Sequence, residues 1–189
     1  ENLDWVSFNG YYQEGDGVNF CIDYESIYRA FIRNFKERGL EVVCVMSEVY
    51  LSHFCQKTFR TEELDRSRNL LVIPSVMDVE ADSAALSFHN VQNAVRNSLG
   101  RFPGKRGWIC ASDHEALGAL AALRDTGRPV GDENGSLVCG TGNTRLSQFS
   151  PLPVSSADLQ LNKAADILME NLHSKVSREH ILTHRIIFR

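Results

Sequence analysis

Two hydrophobic patterns alternate along the chain. Short apolar runs rich in β-branched and aromatic residues predict strands at residues 4–8 (DWVSF) and 18–22 (VNFCI), separated by a polar, glycine-containing stretch. Asp23 follows at once, and Ile27, Ala30, Phe31 and Phe35 then recur at helical spacing until Gly39. Residues 40–46 (LEVVCVM) form a near-continuous apolar run, as expected of a central parallel strand buried on both faces. Residues 47–67 read as a loop and a charged helix, and residues 70–73 as a short strand. Ala85, Phe88, Val91, Val95 and Leu99 share one helical face that stops at Gly100.

The stretch from Trp108 to Ala165 is the most informative. A strand (108–111) ends in Ser112-Asp113, and a helix of small apolar residues (113–126) follows. A second strand (137–139) ends in a Gly-Thr-Gly-Asn turn, followed by a proline-bounded strand (153–156) and an amphipathic helix (158–172). The tail ILTHRIIFR reads as a last strand. Strands alternating with helices predict an α/β fold, with parallel sheets flanked by helices. Two parallel strands with polar tips suggest one binding crevice at their carboxyl ends.

Composition narrows the function class. The 189 residues carry a net charge of −4, which argues against a broad nucleic-acid-binding surface, and the short basic run RFPGKR (101–106) reads as a solvated loop. No apolar run approaches the roughly 20 residues of a membrane helix, and no signal-peptide pattern opens the sequence. Four of the five cysteines (Cys21, Cys44, Cys110, Cys139) sit in strand-like runs and Cys55 outside them; with no CxxC spacing they read as small buried hydrophobes in a reducing, cytoplasmic protein. No cofactor or metal is implied. His180 and His184 would be roughly 13 Å apart on a strand, too far to share an ion.

Each candidate site has a plain structural reading beside the functional one. Ser112-Asp113-His114-Glu115 reads as a capping box, with Glu115 reaching back to the Ser112 backbone N–H, rather than as a catalytic cluster. A helix N-terminus at a strand tip is also where polar ligands sit, so Ser112 and Asp113 are ligand-binding candidates. Gly140-Thr141-Gly142-Asn143 lacks the third glycine of a dinucleotide fingerprint, because Arg145 stands there, and no helix pattern begins at it; a ligand-lining turn with Asn143 is the better reading. Asp23 is either a helix cap or a carboxylate for sugar or ribose hydroxyls, and two oxygens allow both. The helix 115–124 is apolar nearly all round. Leu117, Leu120 and Ala121 are therefore either dimer contacts or buried core.

On these residues most of the chain, from about Asp4 to Arg189, resembles the effector-binding half of the lac repressor/purine repressor family. The resemblance rests on VNFCIDYESIYRAFIRNFKERG, ASDHEALGALAALRDTGRPV, LVCGTGNTRLSQFSPLPVSSADLQLNKAADIL and the final THRIIFR. It implies a periplasmic-binding-protein-like type I fold of two α/β lobes with an effector between them. The lobes expected here are a partial N-terminal one (1–39 and 153–175) and a C-terminal one (40–152 and 176–189). The family's aspartate matches Asp23 and its polar helix-opening residue Ser112, with Asp113 next. Its acidic turn residue falls on Gly142, which leaves Asn143, and Lys57 and Arg60 are the candidates for its arginine.

The resemblance further implies that a helix-turn-helix and the first part of the first lobe are missing, leaving Phe31, Phe35 and Ile167 exposed. The function implied is an effector sensor of a transcriptional regulator: a homodimer that binds a sugar or nucleoside-like molecule and reads operator DNA only through the missing segment, with no membrane partner. The alternatives are the sugar-binding protein of a transporter and an α/β enzyme acting on a sugar.

Overall fold

A computed structural model describes residues 5–8, 17–47, 55–74, 83–131, 134–171 and 178–189. The chain divides into two compact units: residues 1–24 with 158–185, and residues 25–157 with 186–189. These divisions differ from the expected lobes. Residues 25–39 fall in the larger unit, residues 153–157 stay there, and residues 176–185 fall in the smaller one.

The smaller unit holds a three-stranded parallel sheet of β1 (Trp5–Phe8), β2 (Gly17–Ile22) and β8 (Arg178–Leu182), in the order β1-β2-β8. Strand alternation sends Val18 and Phe20 to one face, where they pack with Leu182 and with Ala164, Ile167 and Leu168 of the helix α7 (Leu161–Asn171). Ile167 is therefore half-buried rather than bare. Asn19, on the other face, is 5% exposed and accepts a hydrogen bond from Ser7 Oγ at 2.9 Å.

The larger unit is a six-stranded sheet in the order β4-β3-β5-β6-β7-β9, built from β3 (Glu41–Ser47), β4 (Leu70–Ile73), β5 (Arg106–Cys110), β6 (Leu137–Thr141), β7 (Ser155–Asp158) and β9 (Arg185–Ile187). The first five are paired in parallel. From β3 the chain moves outward to β4, then returns across β3 to continue through β5, β6 and β7. The carboxyl ends of β3 and β5 thus form a topological switch point, where α/β sheets open a crevice. The core combines Val43, Val45, Val138 and Trp108 from the sheet with Val91 and Val95 of α4 (Ser83–Ser98) and Ala119 and Leu123 of α5 (Asp113–Asp125). The Trp108 ring meets Phe102 edge-on at 5.7 Å.

The helix α1 (Tyr24–Glu37) overturns the expected exposure of Phe31 and Phe35, since both are fully buried. Phe35 lies where only a glycine fits on β5: a Cβ on Gly107 would come within 2.2 Å of its ring. Phe31 meets Phe188 edge-on at 6.2 Å. The helix covers the larger sheet, so its apolar stripe has a partner within the unit. The tail is likewise two strands, not one: it breaks at Thr183-His184, pairs with β2 before the break, and joins the larger sheet after it.

Candidate functional site

The polar tips of β5, β6 and β7 come together at the carboxyl edge of the larger sheet. Ser112 is extended (φ −140°, ψ 166°) and caps α5, its hydroxyl accepting the Glu115 N–H at 3.3 Å. The Glu115 carboxylate in turn takes the Ala111 N–H at 2.9 Å, one residue beyond the expected Ser112 contact, although the Ser112 N–H also acts on it. Burial dominates over these donors and raises the Glu115 carboxyl from 4.5 to about 7.

Asp113 is the centre of the arrangement and is fully buried. Its Oδ2 accepts the Thr144 N–H at 2.6 Å, the Thr144 hydroxyl at 3.0 Å and the Ser147 hydroxyl at 2.7 Å. Its Oδ1 accepts the Ser156 hydroxyl at 2.6 Å. The carboxylate therefore ties the start of α5 to the turn after β6 and to β7. Such a charge is tolerable inside only because charge-assisted hydrogen bonds surround it. Contrary to the expectation that no helix begins near the Gly-Thr-Gly-Asn turn, a short one does: α6 (Arg145–Gln148), capped by Thr144.

The turn between β6 and α6 is a left-handed pair, Gly142 (φ 119°) and Asn143 (φ 47°). Asparagine tolerates this conformation better than most side chains. The Asn143 N–H donates to Ser156 Oγ at 2.8 Å, and its carbonyl accepts from Gln148 Nε2 at 2.7 Å. Gly140 sits so close to the β5 tip that a Cβ there would lie 2.6 Å from the Ser112 carbonyl oxygen. Ser47, the buried last residue of β3, is the polar group on the other side of the switch point.

The structure brings Ser112, Asp113 and Asn143 together and separates Arg60 from them. Arg60 is in α2 (Cys55–Thr61), where it lines a cavity of about 280 Å³ with Phe59, Leu64 and Arg66. Arg66 opens α3 (Arg66–Asn69), whose Asn69 amide donates to the Val42 carbonyl near the start of β3. That is the amino edge of the sheet, opposite the polar tips. Lys57 is also in α2, with its side chain outside the described residues. Asp23 is exposed between β2 and α1 and belongs to the smaller unit.

The helix expected to seek a partner finds one within the chain. α4 crosses α5 so closely that a Cβ on Gly118 would lie 2.3 Å from the Phe88 carbonyl oxygen. Leu120 is 5% exposed and belongs to the core, while Leu117 and Ala121 are half-buried. Thr144, Ser147, Ser156 and Arg189 escaped sequence reading. Their importance comes from converging on Asp113 and Asn143, which no spacing along the chain reveals. Among the described residues no His/Cys/Asp/Glu group could hold a metal, and no helix is long and apolar enough to cross a membrane.

A family model described as a periplasmic binding protein-like domain matches residues 19–189. A comparison with curated proteins found no match. Among solved structures, a LacI family transcriptional regulator from Arthrobacter sp. FB24 superposes with a TM-score of 0.75 at 19% identity, over 97% of this chain and 68% of that one. The same regulator has been solved in complex with lactose. A regulatory protein of LacI family from Chloroflexus aggregans gives 0.74 at 18% identity, over 97% of this chain and 66% of that one. The transcriptional regulator CelR in complex with cellobiose gives 0.71 at 17% identity, over 97% of this chain and 57% of that one. At these identities the likeness is one of fold, and this chain spans about two thirds of the first two relatives. With a family model covering nearly its whole length and a switch-point sheet of the matching architecture, the chain belongs to the periplasmic binding protein-like domain family.

Proposed function

We propose that this chain is the effector-sensing part of a LacI-type transcriptional regulator, and that it binds a small polyol, a sugar above all, at the polar tips of β5 and β6. The observation that carries the reading is the left-handed turn at Gly142-Asn143, held beside the Ser112 cap by a buried Asp113 with four hydrogen-bond donors. A turn fixed in this way presents polar groups at low reorganisation cost, which is what a ligand site requires. Solved neighbours carrying lactose and cellobiose support sugar as the ligand class.

In this reading Ser112 and Asn143 touch the ligand and Asp113 holds them in place. Lys57→Ala and Asp23→Ala are each measured in the same thermal-unfolding assay as separate variants. Effector binding would alter operator affinity through a DNA-binding segment outside this chain, which requires different effector affinities for two states of the intact regulator. The regulator would act as a homodimer in the cytoplasm, with Leu117 and Ala121 as contacts and Leu120 supporting them from the core.

Thermal unfolding against a panel of mono- and disaccharides, lactose and cellobiose included, tests the proposal. The expected result is a saturable rise in Tm that is lost in Asn143→Ala and Ser112→Ala. No shift with any sugar would refute the sugar assignment. Sedimentation velocity on the native chain and on Leu117→Glu tests the dimer.

A further inference from the structure

We infer that Arg60 and Arg66 form a separate ligand site in the larger unit, one that takes a phosphate group, at the amino edge of the sheet and independent of the proposed sugar site. Both arginines line one cavity of about 280 Å³, with Phe59 and Leu64 as its apolar wall. Phe59 is buried and Leu64 half-buried. The chain reverses between the two arginines in a fixed way. Glu63 is left-handed (φ 54°), the Leu64 N–H donates to the Phe59 carbonyl at 2.9 Å, and the Glu63 N–H donates to the Arg60 carbonyl at 3.4 Å. This is a Schellman closure of α2, which brings the residues at positions 59 and 64 to one side. Asp65 then caps α3 by accepting the Ser67 N–H at 2.7 Å, and Arg66 opens that helix.

Charge decides what this cavity holds. The carboxylates of the turn do not neutralise its two arginines. Glu62 is taken by Arg29 and Arg33, and the Asp65 carboxylate accepts the Ser67 N–H and hydroxyl. Among the described residues, Glu63, Arg60 and Arg66 make no ion pair. Arg60 is not needed at the end of its own helix either, since the carbonyls of Thr58, Phe59 and Arg60 already accept the N–H groups of Glu62, Leu64 and Glu63. Arg101 adds a third positive charge beside Arg66, its guanidinium donating to the carbonyls of Ser67 at 2.6 Å and Leu70 at 3.2 Å. Positive charges that face one cavity repel until an anion comes between them. A phosphate group answers this arrangement, because guanidinium forks match its oxygens two at a time. The apolar wall shuts out water on one flank, which strengthens the attraction. The cavity has the volume of roughly nine waters, so a short carbon skeleton has room against Phe59 and Leu64 beside the phosphate.

The test is calorimetric titration at constant ionic strength in a phosphate-free buffer. Inorganic phosphate and glycerol 3-phosphate are the anionic probes, and glycerol is the uncharged one. Native chain is compared with Arg60→Gln, Arg66→Gln, the double variant and Arg68→Gln. Arg68 is exposed on α3 and does not line the cavity, so Arg68→Gln removes the same charge outside the site. Both anions are expected to bind native chain saturably and glycerol not at all. Arg60→Gln and Arg66→Gln should each weaken anion binding roughly tenfold, and the double variant should lose it. Arg68→Gln should change it by less than about twofold, because charges on the surface are screened. Unfolding midpoints without probe should match native chain in all four variants, since these arginines are exposed.

The two anions separate the sources of the phosphate. Tighter binding of glycerol 3-phosphate assigns the site to a phosphorylated small molecule that uses the apolar wall, and equal binding assigns it to the free anion. No saturable binding of either anion, an equal loss in Arg68→Gln, or native affinity in the double variant would overturn the inference. None of these outcomes depends on whether a sugar binds at the strand tips.

Discussion

Replacing Asp113 by alanine removes the acceptor of four hydrogen bonds at once, and the structure gives the size of the effect. The Ser156 hydroxyl, on a residue with no exposure, loses its only acceptor in the cluster. The Ser147 hydroxyl, 1% exposed, can fall back on the Thr144 carbonyl at 2.9 Å. The Thr144 N–H and hydroxyl, on a half-buried residue, recover part of their loss through water. A buried donor left without a partner costs about 1–3 kcal/mol, and bonds to a charged group sit at the upper end. Counting one full loss and three partial ones, Asp113→Ala should destabilise the larger unit by about 3–5 kcal/mol. Asp113→Asn should cost only about 1–2 kcal/mol. Its oxygen can replace Oδ2, where three donors meet, and only the Ser156 bond is then inverted.

The assay is urea unfolding followed by Trp108 fluorescence in a Trp5→Phe background. Trp108 is fully buried in the larger unit and so reports that unit rather than the whole chain. A loss below about 1 kcal/mol for Asp113→Ala, or a larger loss for asparagine than for alanine, would refute the view that this carboxylate pins the three tips together.

Three further outcomes follow from the same geometry. Gly118→Val should destabilise the larger unit by about 1–3 kcal/mol in the same assay, because the new carbon collides with the backbone of α4 and not with a movable side chain; an unchanged midpoint would contradict the close helix crossing. The Glu115 carboxyl is raised in the folded chain, so the folded state binds the extra proton and its contribution is complete below pH 4.5 and lost as pH rises to about 7. The stability difference between native chain and Glu115→Gln should therefore change across that window, by on the order of 3 kcal/mol, and a flat difference would count against the burial effect. Glu62, 8% exposed at its side chain, pairs with Arg29 at 3.2 Å and Arg33 at 3.4 Å, so Glu62→Ala should cost about 1–2 kcal/mol, with Glu62→Gln intermediate, as read by chemical denaturation.

The alternating pattern was enough to read the α/β class, the run 40–46 as a central strand, and the strand-cap-helix unit around Ser112. Each of these depends on short-range periodicity or on one cap, and such signals are local. The pattern could not show where the chain passes from one unit to the other. α1 carries the same amphipathic stripe whichever sheet it covers, and Gly107 opposite Phe35 is what assigns it to the larger one. The tail looked like one strand because Thr183-His184 interrupts it without a glycine or proline. Arg60, named only as the counterpart of the family's arginine, is carried by α2 to the amino edge of the sheet, because a resemblance in sequence does not say at which end of the sheet a side chain lies.

The way this tip is built keeps its carboxylate beneath the surface proposed to meet the ligand. Gly142 and Asn143 are consecutive left-handed residues, a conformation that a free chain rarely holds. It is held from beneath by Asp113 through Thr144, from β7 by Ser156, and from the end of the chain by Arg189. The carboxylate spends its acceptors inside the protein, so it gives rigidity and offers the ligand no charge. In the proposed site, recognition would fall to groups whose directions are set during folding, so that little entropy remains to be lost on binding. Variants should therefore divide cleanly. Changes at Asp113 lower stability and binding together, because the turn loses its anchor. Asn143→Asp, which keeps the backbone contacts of the turn with Ser156 and Gln148, should lower binding more than stability. A site held by ion pairs at its surface would not divide in this way, since each substitution would alter both properties.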